Sequence, residues 1–215
     1  MTEPAEPSVP PTTSGILHNA IGYDFTMWLL HFGREYSFRE DVVALAALAP
    51  GESVLDVGCG TGTLAIAVKQ KTGPGAVYAI DASIEMLARA RAKAKRRHVD
   101  VTFENAVAEA LPFPDARFDV VLSTIMLHHL PRKVRLQAVR EIARVLRPGG
   151  RVVIVDFQDS GTRNGFIKHF RRHRHGHVKI DDMHALLNEV GLQITRSGPF
   201  KKPNLYFVIA TTQGV

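Results

Sequence analysis

The chain has 215 residues, 45% of them hydrophobic, and carries a formal net charge of +6 at pH 7 from 27 basic and 21 acidic residues. This length suits one α/β domain with a short extension and excludes a second catalytic domain of ordinary size. The single cysteine, Cys59, excludes an intrachain disulfide, and no apolar run approaches the length of a membrane span. Together these features favour a cytoplasmic protein.

The N-terminal part of the sequence divides into a tail and a helical region. Residues 1–14 include four prolines and few apolar residues, which predicts a flexible tail without the apolar core of a signal peptide. Residues 15–49 show helical apolar spacing that is broken around Phe32-Gly33-Arg34. We therefore expect two cap helices ahead of a domain that spans residues 50–215.

From residue 50 onward, predicted strands and helices alternate. Strands are expected at 53–57, 76–81, 99–104, 118–123, 151–157, 192–198 and 205–211, and helices at 63–71, 84–97, 132–146 and 181–190. Ser83 is the expected N-cap of the second of these helices, and Pro148-Gly149-Gly150 is expected to stop the third. The alternation predicts a largely parallel sheet with helices on both faces, and the last two strands should pair as a hairpin.

The turn after the first strand has the character of a ligand-binding turn. Asp56 is followed by Gly58, Gly60 and Gly62, and glycines let the backbone approach a ligand closely. The second predicted strand ends in Asp81, where nucleotide-binding α/β folds place an acceptor for ribose hydroxyls. The dinucleotide fingerprint would need a third glycine where Thr63 stands, which argues against binding of NAD.

Five further motifs follow this turn in chain order, and together with the turn they resemble the pattern of a known family. The Asp-x-Gly-x-Gly-x-Gly motif is followed by Ile80-Asp81-Ala82-Ser83, Glu109-Ala110-Leu111-Pro112, Phe118-Asp119-Val120-Val121, Leu127-His128-His129-Leu130 and Arg144-Val145-Leu146-Arg147-Pro148-Gly149-Gly150. This order resembles the class I S-adenosylmethionine-dependent methyltransferases, in particular the ubiquinone and menaquinone type that acts on small molecules. The resemblance implies a Rossmann-like fold with a mostly parallel seven-stranded sheet, a C-terminal antiparallel hairpin and N-terminal cap helices.

The same resemblance implies a cofactor site for S-adenosylmethionine. The glycine turn would face the methionine portion, Asp56 would help to position its ammonium group, and Asp81 would accept hydrogen bonds from the ribose. The implied cofactor-binding residues are Tyr23, Asp56, Gly58, Gly60, Gly62, Asp81, Ala82, Met86, Val107, Ala108, Glu109 and Thr124. The two carboxylates also fit helix caps or solvated strand ends, and Tyr23 fits an anchor for the cap equally well.

One residue departs from the pattern of this family. Many members place an aspartate, which accepts from the adenine amino group, where this chain has Val107. Adenine would then be held by apolar packing, by backbone groups near Val107 and Ala108, or by Glu109. The loss of one ordinary hydrogen bond changes affinity by ~1 kcal/mol, or about five-fold.

Methyl transfer from a sulfonium is an in-line displacement, which chiefly requires alignment of the reacting atoms and exclusion of water. A base is needed only where the acceptor arrives protonated. His128 and His129 follow the fourth strand and are the candidate bases, because imidazole titrates near neutrality. Either ring could instead form a hydrogen bond to the backbone or the cofactor.

Residues 158–179 form a predicted lid over the strand ends, and residues 163–179 contain six cations, four histidines and no acid. This stretch is suited to contact an acidic substrate or anionic lipid headgroups, and it also fits a solvated surface loop without a partner. A nucleic-acid partner is less favoured. The alternating His173, His175 and His177 of this stretch carry only a weak zinc signal, so no metal is predicted. Cys59 is expected to be structural.

Two functions remain open at this stage. The first is methyl transfer to a small-molecule acceptor, for which apolar cap residues such as Phe25 and Trp28 would suit an aromatic or lipidic compound. The second is a non-catalytic protein that binds S-adenosylmethionine as a sensor or interaction module, and Val107 mildly favours it.

Overall fold

The computed structural model describes residues 35–158, 179–201 and 204–214. Its helices are α1 Glu35–Ala46, α2 Thr63–Thr72, α3 Ile84–Arg96, α4 Arg132–Val145 and α5 Ile180–Glu189, with a 3-10 turn at Leu127–His129. Its strands are β1 Val54–Val57, β2 Val77–Asp81, β3 Thr102–Asn105, β4 Phe118–Thr124, β5 Leu146–Phe157, β6 Gln193–Pro199 and β7 Leu205–Thr211.

The strands form one seven-stranded sheet in the order β3-β2-β1-β4-β5-β7-β6. The first five strands in this order run parallel, whereas β7 is antiparallel to both β5 and β6. This confirms the predicted mixed sheet and its C-terminal hairpin. The order reverses at β1 and β4, and ligands of open α/β sheets bind beyond the carboxyl ends of strands at such a reversal.

Two apolar clusters cover the two faces of the sheet. Helices α1, α2 and α3 pack on one face around residues such as Val42, Ile66 and Leu87. Helices α4 and α5 pack on the other face around residues such as Ile142 and Leu187. Helices on both faces explain why the central strands β1, β4 and β5 are rich in buried apolar residues, as expected for parallel strands that are covered on two sides.

Most predicted boundaries move by one or two residues, but β3 begins at Thr102 rather than residue 99 and β5 begins at Leu146 rather than residue 151. Helix α4 ends at Val145, one residue before its predicted end and ahead of Pro148-Gly149-Gly150, which lie within β5. Leu146 is already extended and pairs with Phe118, and a register shift after that pair accommodates the segment up to Arg151. Strand β3 begins at Thr102 rather than residue 99, because the amide of Val99 still donates to Ala94 O and closes the end of α3.

The start of helix α3 follows the sequence prediction. The hydroxyl of Ser83 accepts a hydrogen bond from the amide of Met86 at 3.3 Å, as expected for an N-cap. The tail at residues 1–14, the cap before residue 35 and the lid at residues 159–178 lie outside the described residues. Among the helices that are described, none is long and apolar enough to cross a membrane.

Candidate functional site

The carboxyl ends of four neighbouring strands carry the polar residues of the candidate site. Asp56 lies at the end of β1 and Asp81 ends β2, and the register pairs Asp56 with Ala79 and Asp81 with Asn105. Thr124 ends β4 beside Val155 of β5. The topology therefore places these groups along one edge of the sheet, as the strand-end argument predicted.

The glycine turn is held in a conformation that needs glycine. Gly58, Gly60 and Gly62 have φ angles of 77°, 53° and 71°, a region that residues with a Cβ rarely adopt. A Cβ on Gly58 would lie 2.9 Å from Cβ of Met126, so there is also no space for one. The amide of Cys59 donates to Ile80 O at 2.9 Å and ties the turn to β2.

A lysine that the sequence reasoning missed braces the same turn. Lys93 of α3 donates to the hydroxyls of Thr61 at 2.9 Å and Thr63 at 2.6 Å. The turn is thus fixed from β2 on one side and from α3 on the other. No spacing rule singles out one lysine of a basic helix, so only the structure reveals this contact.

Asp81 joins the glycine turn to the start of α3. Its Oδ2 accepts from the amide of Gly60 at 2.7 Å, and its Oδ1 accepts from the amide of Ser83 at 2.9 Å. Burial raises the pKa of Asp81, and the two amide hydrogen bonds oppose that rise. The carboxylate is therefore held in place at the strand end by backbone amides, and its remaining lone pairs are oriented in advance.

Asp56 is almost fully buried beneath the glycine turn, with 1% of its surface exposed. Burial raises its pKa to about 7, and the nearby charge of Arg39 only partly offsets this. Neither carboxylate oxygen has a hydrogen bond of normal geometry within the described part of the chain, although the amide of Ala65 lies close enough to favour the ionised form. A buried carboxylate in this condition is suited to a cationic partner.

The predicted adenine region lies after β3. Val107 and Ala108 are buried, and Ala110 N donates to Val107 O at 3.2 Å across an isolated bridge. Val107 is therefore a buried apolar residue at the position where the family resemblance leads us to expect an adenine acceptor. Of the other predicted residues, Ala82 is exposed, whereas Met86, Glu109 and Thr124 are half-buried.

A second polar group lies beyond the ends of β4 and β5. The Nδ1 atom of His128 lies 2.5 Å from Oδ1 of Asp156, and the amide of His128 donates to Oδ2 at 3.1 Å. Arg135 of α4 donates to the carbonyls of Leu127 at 2.9 Å and Leu130 at 2.9 Å. Both Asp156 and Arg135 are buried, and the sequence reasoning assigned neither of them a role beyond the strand-end position of Asp156.

The two predicted histidines differ in their surroundings. His128 is buried, with 8% exposure, whereas His129 is half-buried with its ring centroid 3.9 Å from that of His128. Of the other predicted groups, Tyr23 and the three alternating histidines lie outside the described residues. Within the described ranges, no group of three or more histidines, cysteines or acidic residues is arranged to hold a metal ion.

Comparison with known proteins shows what this chain is similar to. Residues 54–150 match the protein family described as "Methyltransferase domain". The chain is 38% identical over 138 residues to a ubiquinone/menaquinone biosynthesis C-methyltransferase of Bdellovibrio bacteriovorus, a match that covers 64% of this chain and 58% of that protein. The match to residues 54–150 and the identity to this relative support a class I S-adenosylmethionine-dependent methyltransferase.

A second relative in the family and one solved structure give the range of the similarity. The 27-O-demethylrifamycin SV methyltransferase of Amycolatopsis mediterranei is 37% identical over 160 residues, covering 71% of this chain and 58% of that protein. The chain thus spans about three-fifths of the length of both curated relatives. The magnesium protoporphyrin IX methyltransferase of Synechocystis, solved with bound S-adenosylhomocysteine, shares the fold at a TM-score of 0.70 with 22% identity, covering 92% of this chain and 96% of that one.

The described residues fit the cofactor of this family. The turn leaves no room for a Cβ at Gly58, the buried oxygens of Asp56 lack a partner among the described residues, and Asp81 presents acceptors at the next strand end. A sulfonium nucleoside carries an ammonium group and ribose hydroxyls that these groups can bind. The acceptor groups of this site therefore match the ammonium group and hydroxyls of S-adenosylmethionine.

Proposed function

We propose that this chain transfers a methyl group from S-adenosylmethionine to a small-molecule acceptor by in-line displacement. The observation that carries the proposal is the pairing of Asp81 with the amide of Gly60, because it connects a ribose-binding carboxylate to the glycine turn. Bound there, S-adenosylmethionine would supply an electrophilic methyl group. The protein has to align it with the acceptor and exclude water.

The residues of the chain take distinct parts in this proposal. Asp56 and the glycine turn would hold the amino-acid end of the cofactor, and Asp81 would hold the ribose. Val107, Ala108 and Met86 would pack around the adenine, with Ala82, Glu109, Thr124 and Tyr23 completing the site. Thus the cofactor would lie across β1 and β2.

The acceptor would enter beside β4 and β5, next to His128 and His129. The segment at 158–179, which is basic, is proposed to close over it and to contact acidic groups such as anionic lipid headgroups. One curated relative is named for C-methyl transfer in ubiquinone and menaquinone biosynthesis. The other is named for methyl transfer to 27-O-demethylrifamycin SV. A quinol-like aromatic compound is therefore the class of acceptor to test first.

The test is calorimetric titration of the full chain with S-adenosylmethionine, S-adenosylhomocysteine and NAD. We expect micromolar binding of the first two and none of NAD. Transfer of a tritiated methyl group to 1,4-naphthohydroquinone and to a panel of phenols then measures catalysis. Absence of binding to S-adenosylhomocysteine would overturn the proposal.

One observation favours a second candidate, a non-catalytic protein that binds S-adenosylmethionine. Val107 is an apolar, buried residue where an adenine acceptor is usual in the family, as a degenerate site would have. Tight binding of S-adenosylhomocysteine without methyl transfer to any compound in the panel would move this candidate ahead of the enzyme.

A further inference from the structure

The carboxylate of Asp156 holds His128 at two points. Its Oδ2 accepts from the backbone amide of His128, and its Oδ1 lies 2.5 Å from Nδ1 of the ring. The amide of Phe157 donates to the same Oδ1 at 2.7 Å. Because the carboxylate binds both the backbone and the ring of residue 128, it fixes the orientation of the imidazole.

These contacts also decide which ring nitrogen carries the proton. The amides of His128 and Phe157 both donate to the carboxylate of Asp156. Complete burial alone would raise the pKa of Asp156, but these hydrogen bonds, the bond to the ring and the charge that His128 carries when it is protonated hold that pKa below its ordinary value. An ionised carboxylate only accepts hydrogen bonds, so Nδ1 must be the donor. The lone pair of a neutral His128 then lies on Nε2.

Two aromatic rings pack against the imidazole of His128. The ring of Phe157 packs perpendicular to it with 5.0 Å between centroids, and the ring of His129 lies at 3.9 Å. His128 keeps 8% of its surface exposed. With Nδ1 occupied by Asp156, Nε2 is the ring nitrogen left to act on a ligand at the strand ends.

Arg135 holds the loop that carries this histidine. Its guanidinium donates to the carbonyls of Leu127 and Leu130, which flank His128 on both sides. The charge of Asp156 acts on Arg135 from α4 and on Tyr206 from β7, and Arg135 in turn interacts with Asp182 from α5 and Arg132 from its own helix. The charge of Arg135 faces Asp156 and favours its ionised form.

We propose that Asp156 is a positioning residue that holds His128 as the general base for an acceptor with a weakly acidic hydroxyl group. The inference rests on the proposed methyl transfer and names its class of substrate. Nε2 takes the hydroxyl proton while the oxygen forms its bond to the methyl carbon. The carbon–sulfur bond breaks as its electron pair passes to sulfur, and the imidazolium later releases the proton to solvent.

The first test is structural and needs no acceptor. Long-range ¹H–¹⁵N correlation spectra of the full chain report the protonation of both ring nitrogens, and His128→Gln assigns the signals. We expect a proton on Nδ1 with a low-field resonance that disappears in Asp156→Asn, and a lone pair on Nε2. A lone pair on Nδ1, or protons on both nitrogens at the pH of the assay, would overturn the proposal.

The second test uses phenols of graded acidity as acceptors, from phenol to pentafluorophenol. General-base catalysis contributes about 10²–10⁴-fold, so Asp156→Asn should lower kcat for phenol by about 10²-fold and His128→Gln by at least as much. The loss should vanish for pentafluorophenol, which arrives ionised. An equal loss for every phenol would indicate a purely structural role and sink the idea.

Asp119→Asn is the matched control, because the carboxylate of Asp119 lies at the opposite end of the sheet. It accepts hydrogen bonds from the amide of Ser53 and from the guanidinium of Arg147. This variant should leave the dependence on phenol acidity unchanged. All variants should bind S-adenosylhomocysteine within about twofold of wild type. Failure of the wild-type chain to bind it would refute the proposed function while the spectra still decide the His128 geometry. Retained binding without methylation of any phenol would exclude the hydroxyl class.

Discussion

The two halves of the strand-end cleft are built in different ways. In the proposed cofactor half, the strand-end carboxylate of Asp81 accepts from two backbone amides, those of Gly60 and Ser83. In the proposed acceptor half, the strand-end carboxylate of Asp156 also binds a side chain, the ring of His128. Backbone contacts suit a cofactor shared by a whole family, whereas side-chain contacts can change with each acceptor.

The largest effect is expected where the backbone itself forms the site. Gly58→Ala should lower the free energy of unfolding by ~3 kcal/mol and weaken binding of S-adenosylhomocysteine about a hundredfold, since it adds a clash with Met126 to the strain of a positive φ. Urea unfolding and calorimetry measure both quantities.

Gly149→Ala is the control for that substitution. Its φ of +75° nearly equals the +77° of Gly58, but no atom lies within 4 Å of the added Cβ. It should cost only the ~1 kcal/mol of the backbone conformation and leave cofactor affinity unchanged. Equal losses in the two variants would mean that strain alone, and not the shape of the turn, accounts for the effect.

The carboxylate of the cofactor half gives the next largest effect. Asp81→Ala should weaken S-adenosylhomocysteine by ~1–3 kcal/mol in calorimetry, because the ribose loses its acceptor and the amides of Gly60 and Ser83 lose theirs. Asp119→Ala also removes a carboxylate bound to a backbone amide, but far from the cleft. Comparable affinity losses in both would argue that Asp81 acts only on folding.

Asp56 should make cofactor binding depend on pH. Burial raises its pKa from 3.8 to about 7, so the folded chain holds more protons than the unfolded chain between these values, and this residue lowers stability as pH rises through them. A bound ammonium group would favour the carboxylate and release the proton. The affinity of the chain for the cofactor should therefore rise about tenfold from pH 6 to pH 8.

Calorimetry in buffers of different ionisation enthalpy measures this released proton directly. In Asp56→Asn the proton release that is due to this residue should vanish. Unchanged proton release in that variant would show that Asp56 does not meet the ammonium group.

The smallest effect on cofactor affinity is expected at Val107, in the predicted adenine region. Val107→Asp places a carboxylate where many relatives have one, and should tighten S-adenosylhomocysteine about fivefold. Because position 107 is buried, the same change should lower the stability of the free protein by ~1–3 kcal/mol. Val107→Thr, of similar size but uncharged, is the control, and an equal gain in affinity there would contradict the adenine assignment.

The fold and the cofactor half were largely predictable because their signals are local. Apolar runs, the cap at Ser83 and the glycine turn each occupy a few consecutive residues, and most of the predicted elements begin and end within one or two positions of those in the structure. The early start of β5 at Leu146 was not predictable, because it depends on the pairing of Leu146 with Phe118 of another strand.

The sequence by itself determined the family, the order of the elements and the strand ends that carry Asp56 and Asp81, since these depend on periodicity and on the steric freedom of glycine. Only the tertiary structure decided that Asp156 orients His128, that Arg135 holds their loop and that Lys93 braces the glycine turn. Such contacts join side chains of separate elements, and their distances follow from how those elements pack on the sheet.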